Sequence, residues 1–474
     1  MMRRPKKDAQ PCLTFLSSCL ALTNQVYAKY ESISKILDAC PRILGLIHRD
    51  LEQALKKVNR LTERKSGCRY TSDNVLRILL VQAIEGLSLR ELVVRIDDSR
   101  YFPVFTRLGN RPMMSFTHVD RLKNAIEPGT WKEVNFCLAK HAVSEEWISG
   151  EALRLDTTAV ESNIHYPTDS SLLFDAYRVI ARQIEKVREI DPVLVGDRRI
   201  RLRDVRRRSQ RIGHKAGKKG GSALTLKPLY KAQIEAVERI LHWSRELQAA
   251  VTKALVRKAY SPLSGCSLAL ILKDLQHFHP LAEQVVTQAR RRVIDGEKVP
   301  NEEKIFSIFE EHTELLKRGK AGKPIEFGHM IELEQVGGGF ITNFQVFEKK
   351  PVEYELVHEA LKVHKRLFKS YPQGLTADKG YWENSSAYDK LSEKISVVSI
   401  CKKGGRTSEE KAREHASVFR ALQGFRAGIE GSISFLKRCF RLARCMNKGW
   451  RNFAATVGTS IIAHNLVKLA RAPC

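Results

Sequence analysis

The first regularity along the chain is a helical spacing of hydrophobic residues from about residue 30 to residue 143. One helix is predicted to end at Gly86, and Ser88 with Glu91 forms a capping box that opens the next helix. Further helices are predicted to start at Ser115 and at Pro128. Two short helices joined by a tight turn, with a third behind them, are typical of a helix-turn-helix-like module. An ordinary helical bundle fits the same pattern equally well.

Beyond residue 152 the pattern changes to one of strands and helices. Apolar and polar residues alternate from Leu153 to Ser162, as in a strand with two different faces. Later strands are predicted at Ile325–Leu333, Phe340–Phe347, Gly374–Asp378 and Ser396–Cys401, and helices at Ser170–Arg188, Tyr230–Lys258, Pro280–Ile294, Asn301–Lys317, Glu355–Phe368, Asn384–Leu391 and Gly424–Arg438. Apart from a long helical insertion after the first strand, this is the element order of an RNase H-like α/β fold, a mixed sheet with helices packed on it. An all-α region precedes it.

The charge of the chain is far from neutral. Of its 474 residues, 81 are Lys or Arg and 53 are Asp or Glu, which gives a formal net charge of +28. Because such an excess repels itself in a compact chain, we expect a polyanionic partner, and double-stranded DNA is the natural one. Basicity for solubility alone is the weaker alternative. The hydrophobic share of 43% excludes a wholly disordered chain.

The cysteines and the N-terminus bear on location. The ten cysteines are scattered, without a CxxC pair, which favours reduced thiols in the cytoplasm over a disulfide framework. Residues 1–30 are predicted to form a flexible leader whose layout resembles a weak signal peptide. Its longest uncharged run, residues 9–28, contains a proline and several polar residues, so we expect no membrane span. The protein is expected in the cytoplasm, associated with the nucleoid.

Three acidic residues are candidates for phosphoryl-transfer chemistry. Asp156 lies inside a mostly apolar strand, where a carboxylate is costly to bury unless it is paired or binds a cation. Asp378 ends a strand, at the place where open sheets carry functional groups. Glu430 lies on a helix near the C-terminus. Carboxylates from two strands and a helix can hold two divalent metal ions for in-line displacement at phosphorus. Taken singly, each acid is equally well explained as a solvated surface residue.

Two cations share the helix of Glu430. At 100° per residue, Arg426 and Lys437 fall within about 40° of Glu430, so the three lie on one face. This arrangement suits metal binding beside phosphate contacts, although an exposed ion pair between Arg426 and Glu430 is the simpler interpretation. Residues 425–474 hold nine Lys or Arg but only one acid, Glu430, which favours the metal-binding interpretation.

Several blocks of the chain resemble bacterial insertion-sequence transposases of the ISNCY type, which are DDE enzymes. The first and most specific block is residues 155–173 (LDTTAVESNIHYPTDSSLL), and the later ones are residues 322–329 (GKPIEFGH), 377–381 (ADKGY) and 425–438 (FRAGIEGSISFLKR). Residues 87–92 (LSLREL) are similar to the family's helical DNA-binding region. The likeness runs from about residue 30 to residue 470.

The resemblance implies that Asp156, Asp378 and Glu430 are the catalytic, metal-binding acids, with Mg²⁺ as cofactor or Mn²⁺ in its place. The implied activity is DNA cleavage and strand transfer at the terminal inverted repeats of an insertion sequence, by a homodimer synapsed on DNA. A non-catalytic DNA-binding descendant of a transposase and a metal-dependent DNA nuclease are the alternatives.

The resemblance also gives roles to the neighbours of Glu430. Arg426 and Lys437 match the arginine and the lysine of a signature around the glutamate in related transposases, and are expected to contact DNA. The tyrosine of that signature falls at Gln423, so this chain lacks it.

The predicted organisation is a helical DNA-binding region at 31–150 after the leader, then an RNase H-like catalytic domain at 151–474 with a helical, basic insertion at about 165–325. Within the insertion, residues 198–219 contain eleven Lys or Arg and one acid. Such a run is usually solvated and flexible, but beside DNA it can act as a phosphate-tracking arm that orders on binding. Its candidate DNA contacts are Arg206, Arg207 and Arg208.

Other polar residues near the first strand have structural interpretations. Glu161 lies on the strand face opposite the candidate acid and is predicted to be a salt-bridge partner. Asp169 and Asp175 are predicted to be capping or first-turn charges of the following helix. His165 and His329 are better explained as packed or hydrogen-bonded histidines than as contacts to DNA or metal.

Overall fold

The structure is a computed structural model that describes residues 6–7, 20–62, 69–217, 223–257, 260–320 and 323–471. The chain divides into two units. The first comprises the chain up to Asn163 together with Gly328 onward, and the second comprises Ile164–Phe327. All three candidate acids belong to the first unit.

The described N-terminal residues form a succession of helices: α1 (Ala21–Ala39), α2 (Pro41–Thr62), α3 (Ser72–Ile84), α4 (Leu89–Asp98), α5 (Phe102–Phe105), α6 (Phe116–Asn124) and α7 (Pro128–Ser144). The predicted capping box is confirmed, because Ser88 Oγ accepts from the Glu91 N–H at 3.3 Å and Glu91 Oε2 accepts from the Ser88 N–H at 2.8 Å. Ser115 caps α6 as predicted, accepting from the His118 N–H at 3.4 Å.

The predicted leader extends too far into the chain. Residues 1–5 and 8–19 lie outside the described residues, but α1 begins at Ala21 and Tyr30 is already fully buried. The Tyr30 ring makes edge contacts with Phe102 and Phe105, with centroids 5.3 Å and 4.7 Å away. Residues 21–30 therefore belong to the helical core, because aromatic packing orders them.

A mixed sheet follows the helices, with strands β1 (Ala152–Ser162), β2 (Glu314–Lys320), β3 (Lys323–Gln335), β4 (Ile341–Val346), β5 (Gly374–Thr376), β6 (Val397–Ser399) and β7 (Arg444–Cys445). Strands β1, β5 and β6 run parallel, β3 is antiparallel to β1, and β4 is antiparallel to β3. The resulting order is β4-β3-β1-β5-β6, with β2 also paired to β3 and β7 to β1. The predicted mixed α/β class is confirmed.

The second unit is mostly helical, with α8 (Asp169–Ile190), α9 (Pro192–Val195), α10 (Leu202–Ala216), α11 (Ala223–Val256) and α12 (Pro262–Ala289), a π-helical turn at Arg290–Ile294, a 3-10 turn at Asn301–Glu303, and β2. It has its own hydrophobic core, in which Leu173, Ile180, Val237 and Leu275 are fully buried.

Two predictions in this unit are wrong. The helix predicted at Asn301–Lys317 is a 3-10 turn followed by strand β2, because pairing with β3 and burial of Ile305 and Ile308 override the helical preference of the glutamates there. The helix predicted to start at Pro280 begins at Pro262 and continues through Pro280.

The remaining helices of the first unit are α13 (Glu353–Phe368), α14 (Ser385–Ser392), α15 (Ser408–His415), α16 (Ser417–Cys439) and α17 (Trp450–Leu469). Helices α13 and α16 cover opposite faces of β1. Thr157 bonds Glu353 of α13, whereas Arg154, three residues earlier and therefore on the other face of the strand, bonds Phe425 of α16. No helix in the described ranges is long and apolar enough to cross a membrane.

A buried pair of amides joins the N-terminal helices to the sheet. Asn465 on α17 donates to Asn135 Oδ1 on α7 at 2.8 Å and accepts from the Ile341 N–H of β4 at 3.0 Å. Asn135 donates in turn to the Ile341 carbonyl at 3.2 Å. The region predicted at 31–150 therefore shares one unit and one hydrophobic core with the sheet.

We expect Gly328→Ala to destabilise the first unit by about 1–3 kcal/mol, because a Cβ at this position would overlap the Val160 carbonyl of the paired strand. Thermal or denaturant unfolding measures the change. Gly265→Ala on α12 is the control, because nothing lies within 4 Å of its added Cβ, and its stability should be unchanged or slightly raised. Equal stability of the two variants would contradict the close β1–β3 contact.

Candidate active site

Asp156 and Asp378 lie at one edge of the β1–β5 pair, where the pairing of these two strands ends. The parallel register pairs Arg154 of β1 with Thr376 of β5. Continued by two residues, this register places Asp156 level with Asp378, and neighbouring strands lie about 4.8 Å apart. Both side chains are partly exposed. The structure thus brings two of the three predicted acids together where β5 ends, with Asp156 inside the longer strand β1.

A further carboxylate, missed by the sequence analysis, lies beside Asp378. Asp378 Oδ1 accepts from the Gly380 N–H at 2.6 Å and opens a 3-10 turn over Lys379–Tyr381. The Glu353 carboxylate, in the first turn of α13, lies so close to Gly380 that any side chain there would collide with it. Thr157 Oγ1 donates to Glu353 Oε1 at 2.7 Å and holds it in place. An acid in a first helical turn is common, so the sequence gives little signal for Glu353.

Behind this edge lies a buried acid, Glu332 of β3, directly opposite Thr157 in the strand register. Neither its carboxylate oxygens nor the nearby Tyr381 hydroxyl makes a hydrogen bond of good geometry within the described residues. Burial raises the pKa of Glu332 to about 9, and the carboxyls of Glu334 and Glu353 contribute to the rise. At neutral pH Glu332 is therefore an uncharged carboxylic acid.

The neighbouring Glu334 is also fully buried, and burial raises its pKa to about 7, opposed by a hydrogen bond of 2.6 Å from Asn343. The sequence signal for this pair was two acids alternating with Ile331 and Leu333 around the end of a predicted strand. Burying a carboxyl group is energetically costly, so two acids in a strand predicted to be buried indicate a site with a special role.

Arg154 fixes α16 against the sheet on the same face as Asp156. Its buried side chain donates from Nε to Gln335 Oε1 at 2.7 Å and from Nη1 to the Phe425 carbonyl, and the guanidinium lies 4.4 Å from the centroid of the Phe425 ring. Gly428 permits this approach, because a Cβ there would collide with the guanidinium. Burial lowers the pKa of Arg154 to about 10, so the group stays charged at neutral pH.

Glu430 itself is on the surface of α16. Its side chain is 64% exposed and pairs with Arg426 at 3.5 Å, an exposed pair of the kind that contributes about 0.3–0.5 kcal/mol. Gln423, at the position of the signature tyrosine, accepts from Arg426 Nε at 3.3 Å and donates to the Ser399 carbonyl of β6 at 2.7 Å. Lys437 lies seven residues after Glu430 and is partly exposed. Hydrogen bonds thus join the helix to the sheet, whereas among the described residues Glu430 is held only by a weak ion pair.

The chemistry of the donors fits a magnesium ion. In the described ranges no group of three His, Cys, Asp or Glu side chains lies close enough together to hold a metal ion, and Glu430 is not in one shell with Asp156 and Asp378. Mg²⁺ prefers carboxylate oxygens and is usually held by one or two carboxylates together with water and substrate phosphates. Asp156 and Asp378 satisfy that minimum.

The basic run at 198–219 is not a flexible arm within its described part. Residues 202–216 form α10, which buries Val205 and Ile212 in the core of the second unit, and residues 218–219 lie outside the described residues. The amphipathic spacing of those two apolar residues is what folds the run. Arg206 and Arg207 are exposed, whereas Arg208 Nη1 donates to the Ala232 carbonyl at 2.8 Å.

The predicted turn between two short helices is present at Gly86, which has a left-handed φ of +61°. Helix α3 is buried along most of its length, while α4 buries Leu92 and Ile96 and exposes residues such as Arg90 and Arg95. DNA contact by α4 stays a prediction.

The other polar residues around β1 are engaged within the protein, although Asp175 lies beyond the first turn of α8 and is not the predicted capping or first-turn charge. The contacts are Glu161 with Arg444 at 2.8 Å, Asp169 with Arg292 at 2.9 Å, Asp175 with His165 at 2.6 Å, and buried His329 with the rings of Trp450 and Phe453. Asp169 lies in the first turn of α8, and its cap is Thr168.

Comparisons of the chain with models of protein families, with curated proteins and with solved structures give no match.

We expect Glu332→Gln to stabilise the protein increasingly as the pH rises from about 5 to about 9. The folded-state pKa of about 9 lies above the ordinary 4.5, so the folded protein keeps a proton that the unfolded chain releases. This contribution to stability is complete below pH 4.5 and is lost as the pH rises through 9, with a slope of up to about 1.4 kcal/mol per pH unit. Thermal unfolding across this pH range measures it.

The matched control is Glu348→Gln, which changes an exposed glutamate and should leave the pH dependence as in the wild type. A Glu332→Gln protein with the wild-type pH dependence would show that Glu332 is ionised in the folded state.

Proposed function

We propose that the protein is a DDE transposase of the insertion-sequence type, which cleaves DNA and transfers strands at terminal inverted repeats. The observation that carries the proposal is the level placement of Asp156 and Asp378 on adjacent parallel strands, with the Glu430 helix packed on the face that carries Asp156. On this proposal the protein acts in the cytoplasm, on nucleoid DNA, as a homodimer when two DNA ends are synapsed.

The sheet supports an RNase H-like catalytic domain. The antiparallel strands β4, β3 and β1 are continued by the parallel strands β5 and β6, and α13 and α16 cover opposite faces. This is the mixed sheet with packed helices that the element order predicts. In the sequence, the second unit is inserted after β1 and ends within β3. Strands β4, β3, β1, β5 and β6 are nevertheless neighbours in one sheet, in that order.

Asp156, Asp378 and Glu430 would hold Mg²⁺, or Mn²⁺ in its place. When bound, such ions activate the attacking water or 3′-hydroxyl and stabilise the leaving oxygen. Asp378 is oriented by the Gly380 N–H, and Asp156 by its place in the strand, before any substrate arrives. The Arg426–Glu430 pair is weak and exposed, so a DNA phosphate can take over Arg426 while Glu430 turns to a cation.

Two exposed basic surfaces support DNA as the substrate. One is the segment from residue 438 to residue 451, where the cations exposed to solvent are Arg438, Arg441, Arg444, Lys448 and Arg451. The other is α10, with Arg206 and Arg207. Contacts of this kind to phosphates supply affinity and position the protein without reading the base sequence.

We expect Asp156→Asn, Asp378→Asn and Glu430→Gln each to abolish Mg²⁺-dependent cleavage while leaving DNA binding largely intact. An amide keeps the shape of the side chain but loses the charge that holds a metal ion. The assay incubates each protein with the DNA that flanks its gene and Mg²⁺, then maps cut and joined strands. Glu359→Gln, an exposed residue of α13, is the matched control and should cleave like the wild type.

Glu353→Gln identifies the third acid. Full cleavage by Glu430→Gln together with loss of cleavage in Glu353→Gln would replace Glu430 by Glu353 in the catalytic set. Cut strands without joined products from the wild type would indicate a nuclease, and binding without any cut would indicate a non-catalytic DNA-binding protein.

We expect Arg206→Gln with Arg207→Gln to make the log–log salt dependence of DNA binding shallower by about 0.9 for each phosphate that is no longer neutralised, about 1.8 at most. Adding Arg208→Gln should change the slope little further, because Arg208 already bonds a backbone carbonyl. Binding is measured over a range of salt concentrations.

The decrease in affinity should be similar on a specific and on a random duplex, because interactions with phosphates carry no sequence information. A double variant with the wild-type slope would show that α10 does not contact DNA.

A further inference from the structure

A cavity of about 430 Å³ lies in the first unit, between the α3–α4 turn and the chain that follows α16. Apolar side chains form much of its wall, among them Leu87, Leu89, Phe116 and Phe440. A volume of this size is in the range of small-molecule sites. None of the candidate acids lines it.

A buried cation also lines the cavity. Lys123 of α6 is 9% exposed, and its Nζ donates to Gln82 Oε1 at 3.3 Å. Within the described ranges it has no ion pair. An ammonium carries three N–H donors, so two remain available after the bond to Gln82. A buried charge of this kind is strongly unfavourable without a counter-ion, and burial lowers the pKa of Lys123 accordingly.

The arginines around the cavity differ in their partners. Arg444 pairs with Glu161 at 2.8 Å, and Arg441 pairs more loosely with Glu91 at 3.7 Å. Arg90 lies 5.0 Å from the centroid of the Phe116 ring and has no carboxylate partner among the described residues. The cavity therefore combines a buried ammonium, an aromatic wall and a guanidinium available at its rim.

We propose that this cavity binds a small organic carboxylate, with its anionic group at Lys123 and its apolar body against Leu87, Phe116 and Phe440. Of the four cations that line the cavity, only Lys123 is buried, whereas Arg90, Arg441 and Arg444 are exposed, so a ligand with a single charge fits the cavity best. A dianion such as a phosphate monoester would bring a second charge into an apolar site without a buried partner.

Such a ligand would touch both the α3–α4 turn and the segment after α16. It would therefore connect the helical N-terminal region with the helix that carries Glu430. The site goes beyond DNA cleavage and does not depend on the proposed function, because binding can be measured without DNA.

The test measures binding of 2-naphthoate and octanoate to the full-length protein by titration calorimetry. The neutral 2-naphthalenemethanol has nearly the same body and should bind at least about tenfold more weakly than 2-naphthoate, since a hydrogen bond to a charged group is worth about one factor of ten or more. Lys123→Met should weaken 2-naphthoate to the level of the neutral alcohol. The same variant should raise the melting temperature of the ligand-free protein, because it removes a buried charge, so its folding is checked independently.

Lys140→Met, which changes an exposed lysine of α7 outside the cavity, is the matched control and should bind 2-naphthoate like the wild type. The proposal is overturned if neither carboxylate binds, if Lys123→Met binds 2-naphthoate like the wild type, or if phenyl phosphate binds more tightly than 2-naphthoate.

Discussion

The buried guanidinium of Arg154 is the contact on which the geometry of the candidate site depends. It joins three elements at once: its own strand β1, strand β3 through Gln335, and helix α16 through the Phe425 carbonyl and ring. Gln335 extends the network by donating to Ser432 Oγ of α16 at 2.9 Å. Hydrogen bonds to a charged group contribute about 1.5–3 kcal/mol each, so this network is strong compared with any surface ion pair. Asp156 follows Arg154 by two residues on the same strand face, which makes Arg154 the element that sets the distance between Asp156 and the helix of Glu430.

The acids at this edge differ in how firmly they are held. Asp156 is fixed by strand pairing and Asp378 by the Gly380 N–H, whereas Glu430 is held by an exposed pair with Arg426. In the proposed function, two fixed carboxylates and one adjustable carboxylate would let DNA enter the site before Glu430 takes up its final position. The basic surroundings would favour this order, because the phosphates of a bound DNA would compete with Glu430 for Arg426. The sheet thus holds Asp156 and Asp378 in place, whereas Glu430 can move because it lies on the exposed surface of α16.

Strand β1 was predictable from its alternating sequence, although residues on both of its faces are buried, and α8 was predictable within two residues at each end. Prediction fails where tertiary contacts override local preference. The helix predicted at Asn301–Lys317 includes strand β2, and the basic run at 202–216 folds because two apolar residues reach a core that the sequence does not reveal. In the site, the register of β1 and β5 explains why Asp156 and Asp378 were predictable, since both ended or interrupted apolar strands. Glu353 was not predictable, because only the packing of α13 brings its carboxylate next to Gly380, 27 residues later in the chain. In the sequence it is one of many acids in a first helical turn.

The neutral state of Glu332 changes the electrostatics of the candidate site. Asp156, Asp378, Glu353 and Glu332 all lie close enough to Tyr381 to raise its pKa, after burial as the main cause. If all four carboxyl groups were ionised, they would repel one another and would also repel an approaching phosphate. Burial raises the pKa of Glu332 to about 9 and so keeps its proton in place. Glu332, the most deeply buried of the four, therefore adds no negative charge to the site. The remaining carboxylates are nearer to solvent, where a cation can neutralise them. The depth of each acid in the sheet therefore decides which of them are available to bind a metal ion and which remains neutral behind them.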